Sequence, residues 1–499
     1  MIHFTDISER LIEGRRDIAY RAVHDIFSRL YRHHTYKFLF ESKDVSAAYG
    51  RLSLIGIDPI LKLTGKDDTF RIEVLDRRGQ IYLDRLSSDD LAICTSLERK
   101  ETVLTGIIPV ERKLTEETER SRRNNIARII RLLIQNNKIE ERTFLGLYGA
   151  FGYDFIRLFE DFPEHLPAND IPDFQLFLYD TFIYFDHLKE RAEIITYREK
   201  VNAIQEAVST IETALNRKTI PEATHTVTNA SFALSPDEYT NLVHIAREYA
   251  RKGELFEVVF ANKLTADFQG DPYSLYLRYR DLNPSPYLFY QDFGSDSLVG
   301  ASPEMMVRVE NNTVHLRPIS GTIPRGQDPV EDHENMLELL SHPKERAELD
   351  MLIDLGRNDL SRICQPGLKI QDYRFVEKYS RVMHTVAHLS GELKPGYTAL
   401  DALISCVNAG TLTGAPKVAA MTAIEQHETE RRGYYGGSIG YLTFSGDMDT
   451  SIIIRTAHIR KNTLTFQAGA TLLYDSVPEK EYQETIHKAQ AFLDVINAS

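Results

Sequence analysis

Short β-rich runs separated by polar or glycine-bearing turns recur through most of the chain, and they restrict the possible folds more than any other feature. TYKFLFES (35–42), GRLSLIGIDPILKLTG (50–65), TFRIEVLD (69–76) and GQIYLDRL (79–86) read as successive strands. FLGLYGAFGYDFIRLFE (144–160) and DFQLFLYDTFIYFDHLKERAEIITY (173–197) return to strand character. Before them, apolar groups at helical spacing (Ile18, Ala22, Val23, Ile26, Phe27, Leu30) predict a helix over 18–35, with further helices over 115–137 and 198–216. Residues 217–236 are polar, lack a helical period and contain two prolines, so they are expected to link an N-terminal region (1–216) to a catalytic region (237–499). Beyond the linker, SPDEYTNLVHIAREYARKG is a helix with Ser235–Pro236 at its start, and FEVVFANKLTADF is a strand.

A chain of 499 residues can bury a large core, and its net charge of −14 repels phosphate backbones and anionic membranes on average. Nucleic acid is therefore not an expected partner. The three cysteines are far apart and lack metal-type spacing, the N-terminus has no apolar signal core, and no run is long enough to span a bilayer. A cytoplasmic protein is expected.

Two stretches carry paired acids. Glu345 and Glu348 lie three apart in HPKERAELDMLIDLGRNDL, and Glu481 and Glu484 lie three apart in VPEKEYQETIHKAQAFLDVI. Both read as helices, with starts expected at Ser341–Pro343 and Ser476–Pro478, so each presents two acids on one face. Spacing alone fits a solvated helix face as well as a Mg2+ site. Glycine-bearing turns RPISGTIPRG, GTLTGAPK, GYYGGSIGYLTF and FQAGATLLYDS could each bring backbone N–H groups close to an anionic ligand, or could be plain tight turns. Arg455 could pair with a carboxylate, Glu304 sits after a Ser-Pro turn where its acid could be desolvated, and His384 lies in an apolar run.

The strings NPSPYLFY (283–290), GASPE (300–304), RPISGT (317–322), DLGRNDLSRIC (354–364), YSRVMH (379–384), GTLTGAPK (410–417), YGGSIGYLTFSGDMDTSIIIRT (435–456) and AGATLLYDSVPEKEYQET (468–485) together resemble the chorismate-utilising enzyme family, and within it the anthranilate synthase large-subunit branch. The resemblance implies an α+β fold of two face-to-face antiparallel sheets with outer helices and the two halves of the chain interwoven. It implies Mg2+ on Glu348 and Glu484, with Glu345 and Glu481 beside them. Chorismate would be held by Gly321, Thr322, Tyr435, Arg455 and the Gly469–Ala470–Thr471 backbone. Glu304 would act as the general acid, and His384 would assist loss of pyruvate. Ser42, Pro286, Tyr287 and Leu288 fall where the family binds tryptophan as an inhibitor.

Within the family, Glu257 stands where members that add water carry lysine, and Ser320 stands where members that aminate at C4 carry lysine. Amination at C2 is therefore expected, giving anthranilate or, as the alternative, stopping at 2-amino-2-deoxyisochorismate. No glutaminase domain follows the second acidic helix, so ammonia is expected from a separate glutamine amidotransferase subunit in a hetero-oligomer, or from solution.

Overall fold

The computed structural model describes residues 1–8, 11–43, 52–112, 116–217, 224–379 and 382–497. Two sheets of thirteen strands each, all paired antiparallel, run through it. The first is ordered Ile2–Ser8, Leu11–Ile18, Arg191–Arg198, Thr181–Asp186, Leu52–Gly56, Phe38–Glu41, Tyr287–Asp292, Asp296–Ser302, Thr456–Arg460, Thr463–Leu472, Glu257–Gly270 and His225–Phe232, with Gly414–Ala415 also paired to Glu257–Gly270. The second runs Ile319–Pro324, Val382–Glu392, Thr313–Leu316, Met305–Glu310, Met448–Ile452, Ser438–Thr443, Gly146–Phe151, Phe174–Tyr179, Leu61–Lys66, Thr69–Val74, Val103–Ile107 and Ser96–Arg99, with Lys369–Lys378 on Val382–Glu392. Each sheet joins the two halves of the chain once, at Phe38–Glu41 against Tyr287–Asp292 and at Gly146–Phe151 against Ser438–Thr443. The expected interwoven α+β fold is what forms.

The inner strands of the first sheet are apolar on both faces because both are covered, whereas its edge strands Ile2–Ser8 and His225–Phe232 are largely exposed. Phe38, Leu54, Phe182 and Ile195 enter the core between the sheets. Their neighbours Leu39, Ile55, Ile183 and Ile194 enter an outer layer with the helices Val23–Leu30, Val201–Leu215, Pro272–Leu282 and Pro478–Asn497. Period-2 exposure to opposite sides turns an alternating pattern into a continuous apolar one when neither side meets water.

Several local expectations are corrected. GQIYLDRL is a short helix, Gln80–Asp84, not a strand. Asp76 accepts from the backbone of Arg78 and closes a 3-10 turn just before it, and the adjacent residues Tyr82 and Leu83 are both buried, which a half-exposed strand does not allow. The first helix covers only Val23–Leu30, because Leu11–Ile18 is claimed by pairing with Arg191–Arg198. The expected helix over 115–137 is two pieces, Glu117–Arg122 and Ala127–Gln135, with residue 115 outside the described residues. FGYDFIRL turns helical at Tyr153–Leu158. Inside the expected linker, of which 218–223 are not described, His225–Phe232 forms an edge strand.

Ser235 does cap its helix, in a capping box with Glu238. Ser341, in contrast, ends the helix Pro329–Ser341, and the next helix, Pro343–Ile363, starts at His342 without a side-chain cap. No helix among the described residues is long and apolar enough to cross a membrane.

Candidate active site

Glu304 and Arg455 both lie where the chain crosses from one sheet to the other. Glu304 separates Asp296–Ser302 in the first sheet from Met305–Glu310 in the second, and Arg455 separates Met448–Ile452 in the second from Thr456–Arg460 in the first. The crossings are tied side by side: Ala301 N donates to Arg455 O at 3.1 Å and Ile452 N to Glu304 O at 3.1 Å. Arg455 holds a left-handed φ of 50°, a strained value for a residue with a Cβ. Its half-buried guanidinium has no hydrogen-bond or ion-pair acceptor among the described residues, although its charge acts on Glu304 and His384. A guanidinium in that state is open to an incoming carboxylate.

Glu304 is half-buried, and desolvation pushes its pKa up to about 7, against the opposing influence of the Thr411 hydroxyl, Lys488 and Arg455. Thr411 Oγ1 donates to Oε1 at 3.0 Å. An acid poised there carries its proton at neutral pH often enough to give it away.

A break in strand register between Ser320 and Ile323 turns Gly321–Thr322 toward the neighbouring strand Val382–Glu392. Gly321 has φ 68°, and a Cβ there would meet Glu345 Oε2 at 2.8 Å. His384 Nδ1 lies 2.9 Å from Gly321 O and 3.0 Å from Thr322 Oγ1. A carbonyl only accepts, so Nδ1 carries the hydrogen and Nε2 is left as the basic nitrogen. Burial lowers the His384 pKa to about 4, so the ring is neutral at pH 7. Residues 380–381 of the YSRVMH string lie outside the described residues.

Tyr435 and Gly469 meet across the site: a Cβ on Gly469 would stand 3.2 Å from the Tyr435 hydroxyl oxygen and 2.8 Å from Phe260 O. Ala470 is fully buried, and its N–H donates to Tyr239 Oη at 3.2 Å, so that donor is engaged by the protein itself. Thr471, the third residue of this backbone run, pairs with Val259.

The two acidic helices, Pro343–Ile363 and Pro478–Asn497, act on each other electrostatically. Burial raises the Glu348 pKa, and the charge of Glu345 adds to it, while Lys344 and Lys488 oppose. Burial also raises Glu481, with the charge of Glu484 adding, and the same two lysines oppose. Both helices therefore turn their acids toward common ground. Lys488 Nζ sits on Glu484 Oε1 at 2.7 Å and donates to Gly469 O at 2.9 Å. Among the described residues no three acidic, histidine or cysteine groups are close enough together to enclose an ion. Mg2+ does not need three, since it keeps waters and takes one or two carboxylates. Glu348 and Glu484, one from each helix, are the carboxylates that could hold such an ion, with Glu345 and Glu481 one turn before them.

Glu257 was absent from the expected ligand set and is the residue the fold adds. It is 2% exposed, and neither carboxyl oxygen has a hydrogen-bond partner among the described residues. Burial, and then the charge of Glu348, push its pKa up to about 8. Its strand lies against both GTLTGAPK and AGATLL, with Glu257 opposite Ala415 and Val258 opposite Leu472. Lys488 was also missed, although its position one turn after Glu484 was readable from spacing.

Ser42, Pro286, Tyr287 and Leu288 come together elsewhere, around a separate cavity of about 560 Å3. Ser42 Oγ donates to Pro286 O, and Tyr287 Oη donates to Asp449 Oδ1 at 3.1 Å.

A model of the chorismate binding enzyme family matches residues 92–494. The anthranilate synthase component 1 of Acetivibrio thermocellus is 40% identical over 371 residues, 70% of this chain and 75% of that protein. The anthranilate synthase component 1 of Buchnera aphidicola subsp. Rhopalosiphum maidis is 35% identical over 490 residues, 94% and 95% of the two chains. Among solved structures, anthranilate synthase component I from Streptococcus pneumoniae superposes with a TM-score of 0.69 at 31% identity, covering 88% of this chain and 91% of that one. The menaquinone-specific isochorismate synthase of Escherichia coli reaches the same TM-score at 19% identity over 97% and 94% of the chains, a likeness of fold.

Proposed function

The chain belongs to the chorismate binding enzyme family, and on that premise we propose that it aminates chorismate at C2 with ammonia and then eliminates pyruvate to give anthranilate. The observation that carries this reading is a desolvated acid at Glu304 within electrostatic reach of Arg455, whose guanidinium has no acceptor among the described residues; Glu257, acted on by Glu348, is a second buried acid.

Arg455 pairs with a carboxylate of the substrate, and the Tyr435 hydroxyl and the Gly321–Thr322 and Gly469 backbone orient the ring. Mg2+ on Glu348 and Glu484 would neutralise the ring carboxylate when bound. Ammonia forms the new bond at C2 while the C4–O bond breaks, and Glu304 delivers the proton with which the hydroxyl leaves as water. Glu257, half-ionised near pH 8, is suited to take the proton that an arriving ammonium ion must lose. Glu257 stands where members that add water carry lysine, so lysine-assisted water attack is disfavoured. His384 Nε2 then takes the C2 proton, the bond from the ring to the enolpyruvyl oxygen breaks, pyruvate departs and the ring becomes aromatic. Ammonia would come from a separate glutamine amidotransferase subunit or from solution, and the cavity at Ser42 is the place for an effector such as tryptophan.

The test is incubation with chorismate, Mg2+ and an ammonium salt at mildly alkaline pH. Fluorescent anthranilate with one equivalent of pyruvate is expected. An amino-diene without pyruvate would restrict the activity to the first half-reaction, and isochorismate or a 4-amino product would overturn the C2-amination reading.

A further inference from the structure

Within GTLTGAPK the two threonine hydroxyls do different things. Thr413 Oγ1 donates to Ala409 O at 2.9 Å, the carbonyl four residues back, as a threonine in a helical turn commonly does. Thr411, two residues earlier in the one-turn helix Gly410–Thr413, makes no such bond. Its single hydrogen bond among the described residues runs 3.0 Å to Glu304 Oε1, 107 positions away in sequence.

The turn that carries Thr411 is held from several sides. Leu412 N donates to Ala409 O at 3.0 Å, and Leu412 O accepts from Arg432 Nη1. Arg432 is buried and ion-paired to Glu428. Gly410 lets the turn approach the helix Pro343–Ile363, since a Cβ there would stand 2.4 Å from Leu355 Cδ2.

The consequence is chemical. The hydroxyl proton of Thr411 has no other acceptor among the described residues, so it points at Oε1. The carbonyl-type oxygen of a neutral acid is the better acceptor of its two, so Oε1 accepting from Thr411 favours the transferable proton on Oε2, which has no partner among the described residues. We propose that Thr411 is a positioning residue that holds Glu304 with its acidic proton on Oε2, facing the substrate's departing hydroxyl. The inference rests on the reading of Glu304 as the general acid. Arg455, from the strand crossing, and Lys488, from the helix Pro478–Asn497, are the charged groups that also act on Glu304. Neither supplies a directional contact to Oε1, so neither can replace the hydroxyl in this role.

The experiment compares Thr411→Val, Thr411→Ala and Thr411→Ser with wild type and with Glu304→Gln, measuring kcat, KM for chorismate, the pH profile of kcat and the melting temperature. Thr411→Val and Thr411→Ala are expected to lower kcat by about tenfold to a hundredfold, a fraction of what a whole general acid contributes, with KM nearly unchanged. Their alkaline limb moves to higher pH, because the lost hydrogen bond favoured the ionised form of Glu304. Serine, which keeps the hydroxyl, is expected to restore both kcat and the limb. The proposal is overturned if the limb stays in place in folded Val or Ala variants, if only KM responds, or if serine performs no better than alanine. Should Val fold poorly, the alanine–serine pair decides alone. An active Glu304→Gln would overturn the acid reading itself, whereas an inactive Glu304→Gln beside an unshifted Thr411→Ala would overturn only the role of Thr411.

Discussion

Glu304 and Glu257 are both carboxyls raised toward neutrality, but their surroundings give them different observable signatures. Glu304 works as a donor and must be protonated, so its contribution falls as pH rises through about 7. Measured at a constant concentration of un-ionised ammonia, kcat/KM for chorismate is expected to decline tenfold per pH unit above that point. Glu304→Gln should lose about a hundredfold to ten-thousandfold in kcat and lose the limb with it; a limb that persists in Glu304→Gln assigns it to another group. Glu257 reports through stability instead. Its folded pKa lies near 8 and its ordinary value at 4.5, so between these pH values the folded chain holds a proton that the unfolded chain has released. The sign follows: this residue's contribution is full below about pH 4.5 and is lost as pH rises toward 8, by up to about 1.4 kcal/mol per pH unit. Glu257→Gln cannot ionise, so it should melt close to wild type at pH 5 and above it at pH 8. Equal melting temperatures at pH 8 would mean that the carboxyl is not isolated from water or countercharge.

At the scale of elements, the helices Pro343–Ile363 and Pro478–Asn497 each carry acids whose ionisation burial and the neighbouring acid oppose, and a lysine of each helix, Lys344 and Lys488, acts on the acids of the other. Lys488 also pairs with Glu484, at 2.7 Å. Mg2+ binding the folded chain alone would raise its melting temperature by mass action. The rise is expected with MgCl2 and not with NaCl at matched ionic strength, and it should disappear in Glu348→Gln and in Glu484→Gln. A Mg2+-dependent rise of wild-type size in both variants would remove the metal from these helices. The acid pairs were legible because i, i+3 spacing is a one-dimensional signal, as was the Ser235 cap. GQIYLDRL was not, because over so few residues its apolar positions fit a strand as well as a helical turn, and the choice was made by the 3-10 turn closed on Asp76. Thr411 was not legible either, since GTLTGAPK offers two threonines and only the packing of distant residues shows which one meets Glu304. The burial of Glu257 depends on strands from three parts of the chain and is invisible in FEVVFANK.

At the scale of the whole molecule, the site exists only because the two halves share their sheets. The crossings that carry Glu304 and Arg455 pass between sheets whose other ends are built by the first 200 residues, with Phe38–Glu41 against Tyr287–Asp292 and Gly146–Phe151 against Ser438–Thr443. A further tie is buried: Arg131, on the N-terminal helix Ala127–Gln135, forks onto both oxygens of Asp401, on the C-terminal helix Ala399–Cys406, at 2.8 and 2.9 Å. Separating residues 1–217 from 224–499 would therefore open a strand edge in each sheet and part Arg131 from Asp401, which costs about 3–5 kcal/mol for a broken buried pair. Residues 1–217 expressed alone are expected to aggregate or to show no cooperative melt, and the same is expected of 224–499. The intact chain should unfold in one transition, with tyrosine fluorescence and far-UV circular dichroism coincident. Two separated transitions in the intact chain, or a cooperative melt from 1–217 alone, would show that the halves fold independently and that the seam carrying Glu304 and Arg455 is an interface between domains.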